Sequence, residues 1–239
     1  MDNRFEREEL LIGSQALAKL KKARVCLFGV GGVGSYAAEA LARCGIGEID
    51  IVDNDTVSVS NINRQLCALS STVGRQKIDV VEERLRDINP EIKINKRYEF
   101  VLPENVDTFD FEKYDYVIDA IDTVSAKLAI AERAFRLGTP MISCMGTGNK
   151  LDPSALSVTD IQKTNTCPLA RVMRRELRAR GITHLRVLYS TEEPVKIAPA
   201  ESEHGRHAPA SIAFVPSVAG LMAAGEAVKH IISSEKGNE

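Results

Sequence analysis

Arg24-Val25-Cys26-Leu27-Phe28-Gly29-Val30-Gly31-Gly32-Val33-Gly34 is the stretch whose reading decides the fold. A short apolar run that ends in glycines reads as a buried strand. Ser35 to Arg43, rich in small Ala residues, reads as a helix that Gly45 and Gly47 terminate. Between strand and helix lies a G-x-G-x-x-G pattern at Gly29, Gly31 and Gly34, with Gly32 inside it. Glycine suits this junction because a side chain would hold a phosphate away from the N–H groups at the helix start, where the helix dipole favours negative charge. Asp53 ends the next apolar run, Ile49 to Val52, 19 residues after Gly34. There its carboxylate can accept hydrogen bonds from ribose hydroxyls. Strand, glycine turn, helix and spaced acid together point to a nucleotide that carries a ribose, without choosing between NAD, FAD and ATP.

Working outward, strands and helices keep alternating through about residue 150. Val73 to Ile88 carries Ile78, Val81, Leu85 and Ile88 on one helical face, and Asn89-Pro90 stops it. Lys93 to Tyr98, Tyr116 to Ala120 and Met141 to Cys144 read as strands, with a helix from Ser125 to Leu137 before the last. This alternation predicts an α/β fold of Rossmann-like type, a mostly parallel sheet flanked by helices. After Leu151 the pattern changes. Ala155 to Ile161 and His184 to Thr191 read as antiparallel strands added in the C-terminal half, with a basic helix between them. The expectation is a single domain over 1–239, its nucleotide-binding half about 1–150 and its substrate and dimer-forming half about 151–239.

A net charge of −2 excludes a globally cationic surface, so any nucleic-acid contact has to come from a local patch. Cys26, Cys44, Cys67, Cys144 and Cys167 are dispersed, with no C-x-x-C pair, which argues against a disulfide framework or a Cys-rich zinc site. The charged start of the chain has no apolar signal core, and Ile212 to Ile232 contains Glu226, Lys229 and His230, so a buried helix is expected there and a cytoplasmic location for the protein. Glu201 to His207, with His204 and His207, reads as a solvated loop rather than a metal site.

Asp53 to Lys77 separates ATP from NAD. A hydride-transfer enzyme needs apolar walls for nicotinamide here, whereas Asn61, Arg64, Gln65 and Lys77 offer amides and cations suited to a triphosphate. Fixed cations and Mg2+ stabilise the charge that grows when a carboxylate displaces pyrophosphate. Asp122, ending Ile118-Asp119-Ala120-Ile121-Asp122, falls where strand ends form the ligand crevice and can hold the Mg2+, although a strand-end Asp can equally cap the following helix.

These residues carry a resemblance. The glycine turn, Asp53-Asn54-Asp55-Thr56-Val57-Ser58-Val59-Ser60-Asn61-Ile62-Asn63-Arg64-Gln65, Val73-Gly74-Arg75-Gln76-Lys77 and Asp119-Ala120-Ile121-Asp122 resemble the E1-like adenylating family of ThiF, MoeB and HesA type. Over nearly the whole chain the resemblance is to its tRNA threonylcarbamoyladenosine dehydratase branch. It rests further on Leu41 to Gly47, Val117 to Asp122, Asp152-Pro153, Val158 to Asp160, Ser190 to Glu192 and Ala210 to Leu221. It implies that Asp53 holds ribose, that Asn61, Arg64 and Lys77 contact phosphates, and that Asp122 positions Mg2+-ATP. It also implies a homodimer in which an N-terminal arginine, Arg7 or its competitor Arg4, reaches the neighbouring subunit's site.

The activity implied is ATP-dependent dehydration of threonylcarbamoyladenosine in tRNA through an acyl-adenylate. A tRNA partner calls for a cationic surface. From Pro168 onward Arg171, Arg174, Arg175 and Arg178 recur at i, i+3, i+4 and i+7 on one helix side. The rival reading is an adenylyltransferase acting on a ubiquitin-like sulfur-carrier protein, against which the absent zinc cysteines weigh. A non-catalytic nucleotide- or RNA-binding module and an NAD-dependent oxidoreductase stand further off. Cys144 and Cys167 are candidates for an acyl-accepting thiol, with packing as the default reading of each.

Overall fold

In the computed structural model, which describes residues 4–196 and 209–234, the two expected halves share one seven-stranded sheet. Its strands are β1 Arg24–Phe28, β2 Glu48–Val52, β3 Lys93–Arg97, β4 Tyr116–Asp119, β5 Met141–Cys144, β6 Leu156–Asp160 and β7 Arg186–Ser190. They lie in the order β3-β2-β1-β4-β5-β7-β6. All are parallel except β6, which runs antiparallel to β7 with Val158 opposite Leu188. β1 and β4 are buried along nearly their whole length, as a strand covered on both faces requires.

The helices are α1 Glu6–Ile12, α2 Ser14–Lys22, α3 Gly34–Arg43, α4 Lys77–Ile88, α5 Val124–Leu137, α6 Pro168–Ala179 and α7 Phe214–Ser233. One apolar layer gathers Leu20, Leu41, Leu85 and Ala223 from α2, α3, α4 and α7 against Leu27, Ile51 and Ile118 of the sheet. The opposite layer joins Ile130 of α5 and Met173 of α6 to Phe28, Phe109, Phe111 and Val187. From β1 the chain passes outward through β2 to β3, then returns to place β4 on the other side of β1. The reversal opens a crevice at the carboxyl ends of β1 and β4, the usual ligand position in such sheets.

The fold departs from the sequence reading at the ends of elements. α4 begins at Lys77, not Val73. Gly74 has φ +87°, and Gln76 is extended and pairs with Thr56, so the backbone between them cannot be helical. The sequence reading missed α1 and α2, because α1 buries none of its residues and α2 only Leu17 and Leu20, too few to mark a periodic face. β7 is antiparallel to β6 alone and otherwise continues the parallel sheet, so the C-terminal half extends the sheet rather than adding a separate one. Ile212 to Ile232 is mostly α7, as expected. Among the described residues no helix is long and apolar enough to cross a membrane. Glu201 to His207 lies outside the described residues.

Candidate active site

The carboxyl ends of β1, β2, β4 and β5 surround a crevice of about 420 Å3. Gly29, Gly31, Gly32, Asp53, Asn61, Arg64, Gln65, Lys77 and Asp122 all line it, so residues scattered over nearly 100 positions of sequence meet on one surface. Gly34 does not line the crevice.

The four glycines do two different jobs. A Cβ at Gly34 would sit 1.8 Å from the carbonyl oxygen of Gly29, and Gly29 itself has φ +86° with Ala120 O 3.0 Å from its would-be Cβ. These two are glycines because the turn must close on itself. Among the described residues a Cβ at Gly31 would meet only Gln65 Nε2, at 3.8 Å, and one at Gly32 makes ordinary contacts with Pro216 and Arg64. Packing does not demand glycine at Gly31, and its bare backbone faces the crevice. Approach of a ligand to the chain is the physical reason that remains.

Asp53 is fixed from two sides. Val30 N–H donates to its Oδ2 and Asp55 N–H to its Oδ1, both at 2.8 Å. The glycine turn and the end of β2 are thereby locked together through one carboxylate, which keeps lone pairs for a further donor such as a ribose hydroxyl.

Across the crevice, the single turn Val59–Asn61 presents Asn61, the residues just after it present Arg64 and Gln65, and the first residue of α4 is Lys77. Asn61 Oδ1 accepts from Ser58 N–H at 3.2 Å. Arg64 Nη1 donates to Ser60 O and Asn63 Oδ1, both at 3.0 Å, which orients the guanidinium along the wall. Ser35 Oγ accepts from Leu66 N–H at 3.1 Å, tying this segment to the first turn of α3. Gln65 is buried. Lys77 is 5% exposed and reaches Asp55 Oδ2 at 2.7 Å. The cation is therefore paired, which the sequence reading did not foresee; the pairing explains how a buried ammonium is tolerated. Since the Asp55 side chain is 63% exposed, it is free to yield Lys77 to a stronger anion.

Asp122 stands exposed on the facing wall. Its side chain takes a long bond of 3.5 Å from the Thr123 hydroxyl, and the N-cap of α5 is Thr123, which makes no side-chain cap bond. The competing reading of Asp122 as a helix cap is thus not what the geometry shows.

The same crevice includes residues that sequence reasoning missed. Glu99, Phe100 and Val101 follow β3 and form an apolar-edged wall beside Asp53, suited to a flat base. Met145 to Gly148 follow β5, and Ser211 and Pro216 enter from the start of α7. The rule that ligands gather at strand carboxyl ends pointed to the first two groups; the last falls in the Ala210 to Leu221 stretch of the resemblance, which gave no sign of its place at the crevice.

Cys144 lines the crevice, but burial pushes its thiol up to about 12. Cys167 is buried at the N-cap of α6. Neither is arranged as an activated nucleophile. Arg7 is exposed on α1 and is not among the residues lining its own chain's crevice, while Arg4 Nη1 is engaged with Ile88 O at 2.9 Å.

α6 starts at the crevice rim, where Leu169 is one of the lining residues, and buries Ala170, Met173 and Leu177. Arg171, Arg175 and Arg178 are exposed on it. Arg174 behaves differently from the other three. Its Nη1 donates to Thr164 O at 2.8 Å and Oγ1 at 2.6 Å, so it braces the loop before the helix. Arg175 pairs with Glu176, and Arg178 donates to Gln162 Oε1 at 3.0 Å.

A parallel sheet with this glycine turn, a strand-end acid locked to it and cations on the opposing wall defines a nucleotide-binding α/β protein of the adenylating kind. The chain belongs to the ThiF family, whose model matches residues 5–239. It is similar to the tRNA threonylcarbamoyladenosine dehydratase of Bacillus subtilis, 43% identical over 97% of this chain and 96% of that one. Among solved structures it resembles Escherichia coli tRNA N6-threonylcarbamoyladenosine dehydratase in complex with ATP, with TM-score 0.87 and 37% identity over 96% of this chain and 94% of that one. The same enzyme in complex with AMP matches equally well.

Proposed function

We propose that this chain is an ATP-dependent tRNA threonylcarbamoyladenosine dehydratase. The observation that carries the reading is the joint one of site and similarity. The crevice brings together the glycine turn, Asp53, Asn61, Arg64, Gln65, Lys77 and Asp122, and the chain matches a dehydratase along nearly its whole length. Matches to yeast adenylyltransferase and sulfurtransferase proteins cover 65% of this chain and 35% of the relative in one case, which leaves the carrier-protein reading in second place.

In this reading Phe100 and Val101 face the adenine and Asp53 accepts from ribose hydroxyls. The Gly31 and Gly32 backbone approaches the phosphates, with Asn61, Arg64, Gln65 and Lys77 on their other side. Asp122 is the residue that would hold Mg2+. Its exposed carboxylate suits a hard cation. The ion supplies positive charge against the phosphoryl oxygens.

The threonine carboxylate of the modified adenosine attacks the α-phosphorus and pyrophosphate leaves. Arg64 and Lys77 stabilise the charge that develops, and Lys77 exchanges Asp55 for phosphate as it does so. The carbamoyl group, held beside the resulting acyl-adenylate, attacks the acyl carbon, closes a ring and expels AMP. The oxygen lost from the carboxylate departs on AMP, so the net change in the tRNA is loss of one water. Proximity makes the second step intramolecular, and no cysteine is needed.

The exposed arginines of α6, which begins at the crevice rim, serve tRNA phosphates, with residues of about 1–150 holding nucleotide and about 151–239 substrate within one domain, while the dimer contact draws on α1 as well. A homodimer accounts for two features of α1. Leu10 and Leu11 are each 84% exposed, and Arg7 is exposed without lining its own chain's crevice, which leaves it for a partner's. The enzyme works in the cytoplasm beside its tRNA.

Pyrophosphate exchange from ATP tests the reading against its rival. Exchange or AMP release stimulated by threonylcarbamoyl-modified tRNA, and not by carrier proteins ending in a glycine tail, is the expected result. Stimulation by a carrier protein alone would overturn the dehydratase assignment.

A further inference from the structure

Directly behind the crevice wall lies a buried ion pair that joins the first residue of the Asp119–Asp122 motif to a lysine outside it. Asp119, at the end of β4, and Lys127, in the second turn of α5, are both 0% exposed. Lys127 Nζ donates to Asp119 Oδ1 at 3.0 Å, to Asp119 Oδ2 at 2.9 Å and to the carbonyl oxygen of Ile121 at 3.0 Å. An ammonium has three hydrogens, and all three are thereby used. Asp119 also accepts from Ser143 Oγ at 2.5 Å and, through Oδ1, from Ile121 N–H at 3.3 Å.

Both polar backbone groups of Ile121 are therefore gripped by the same pair. The Ile121 carbonyl belongs to the peptide that joins Ile121 to Asp122, so Lys127 sets the plane from which the Asp122 side chain projects. The front of this loop is equally confined, because Ala120 N–H donates to Phe28 O at 2.8 Å and Gly29 packs against the Ala120 carbonyl.

Stability alone is a poor reason for such a pair, since apolar residues of similar volume commonly replace a buried ion pair without loss. Orienting a neighbouring peptide is something apolar residues cannot do.

We infer that Lys127 and Asp119 are positioning residues that hold the Ile121–Asp122 peptide so that the Asp122 carboxylate faces the nucleotide. The inference rests on the role given to Asp122 above. A supporting group of this kind is typically worth tenfold to a hundredfold in activity, about the cost of misplacing a reacting group by an ångström.

The test compares the wild type, the triple variant Asp119→Val/Lys127→Met/Ser143→Ala, Asp122→Asn and the combination of all four changes. The triple variant orphans no buried charge and is expected to fold with a melting temperature near that of the wild type. Amide hydrogen exchange in the ligand-free protein should accelerate about tenfold or more at residues 121–123 and stay unchanged in β1. AMP release should fall by roughly a hundredfold, and adding the triple change to Asp122→Asn should cost little more, because both act through one carboxylate.

AMP release by the triple variant within twofold of wild type, alongside a large loss in Asp122→Asn, would overturn the positioning role alone. No loss in Asp122→Asn would overturn the role of Asp122 and with it this inference. Should the triple variant fail to fold, Ser143→Ala decides. Exchange raised selectively at residues 121–123 supports the inference, and exchange raised uniformly across the sheet contradicts it.

Discussion

The glycine turn and the arginine helix α6 both serve polyanions in this account, yet they are built on opposite principles. At the turn, backbone meets backbone: a Cβ on Gly34 would overlap Gly29, and the Asp53 carboxylate is held by two N–H groups at 2.8 Å. On α6, long side chains stand on a solvated helix face, and three of the four arginines are exposed. Chemistry on a phosphorus atom needs groups placed to fractions of an ångström, whereas phosphate contacts along RNA need only charge density. The first requirement leaves a fixed motif in sequence, and the second leaves a composition bias.

The sharpest way to break this contrast is within the glycine turn. Gly34→Ala is expected to abolish folding or cost several kcal/mol, because the obstruction is backbone and cannot move aside. Gly31→Ala has free space and should retain the wild-type melting temperature while weakening ATP binding. Thermal melts with and without ATP check the pair; equal destabilisation by both would contradict the division of roles.

Next in size is the catalytic wall. Lys77→Ala should lower AMP formation by about 10²- to 10³-fold. Because Asp55 is mostly exposed it is not left as a buried charge, so the melting temperature should fall only by the few degrees that losing the buried Lys77 side chain costs. Steady-state AMP release beside a thermal melt separates the two effects.

A milder effect belongs to α6. Arg171, Arg175 and Arg178 changed together to Gln should reduce tRNA affinity and lower the slope of its salt dependence by up to about three counterions. ATP binding should be untouched. Arg174→Gln, by contrast, should lower stability through the lost bonds to Thr164, with a smaller change in salt slope.

The smallest effect concerns Cys144. Burial raises its thiol to about 12 from 9.0, so the folded protein keeps it neutral. Its contribution to stability is fully present below pH 9 and is lost as pH rises from there toward 12, since the unfolded chain ionises first. Alkylation of Cys144 in the folded protein should be negligible at pH 8, and Cys144→Ala should change AMP release less than twofold. Rapid labelling at pH 8 would return the cysteine to the mechanism.

How much was legible in sequence follows the same division. The order of strands and helices from β1 through residue 150 could be read from short-range spacing, as could the glycine turn, Asp53, Arg64, Lys77 and Asp122 as candidates, and the structure brings the last four to one crevice. The pairing of Lys77 with Asp55 could not, since it spans a bend that closes only when Thr56 meets Gln76. Phe100 reaches the site through strand order, for which no local signal exists, and although Asp119 and Ser211 stand in recognisable motifs, the Asp119–Lys127 pairing and the place of Ser211 at the crevice depend on helix packing. α6 was correctly seen as basic, but the inward turn of Arg174 depends on Thr164, ten residues earlier and outside the helix.

The central claim is that the crevice activates a carboxylate on tRNA so that the tRNA loses water. Nucleoside mass spectrometry of threonylcarbamoyl-modified tRNA, incubated with the protein and Mg2+-ATP, tests it most directly. The account expects the modified nucleoside to lose the mass of one water with one AMP formed per nucleoside converted, and no conversion by Lys77→Ala. An unchanged nucleoside mass with active wild-type protein and ATP present would contradict it.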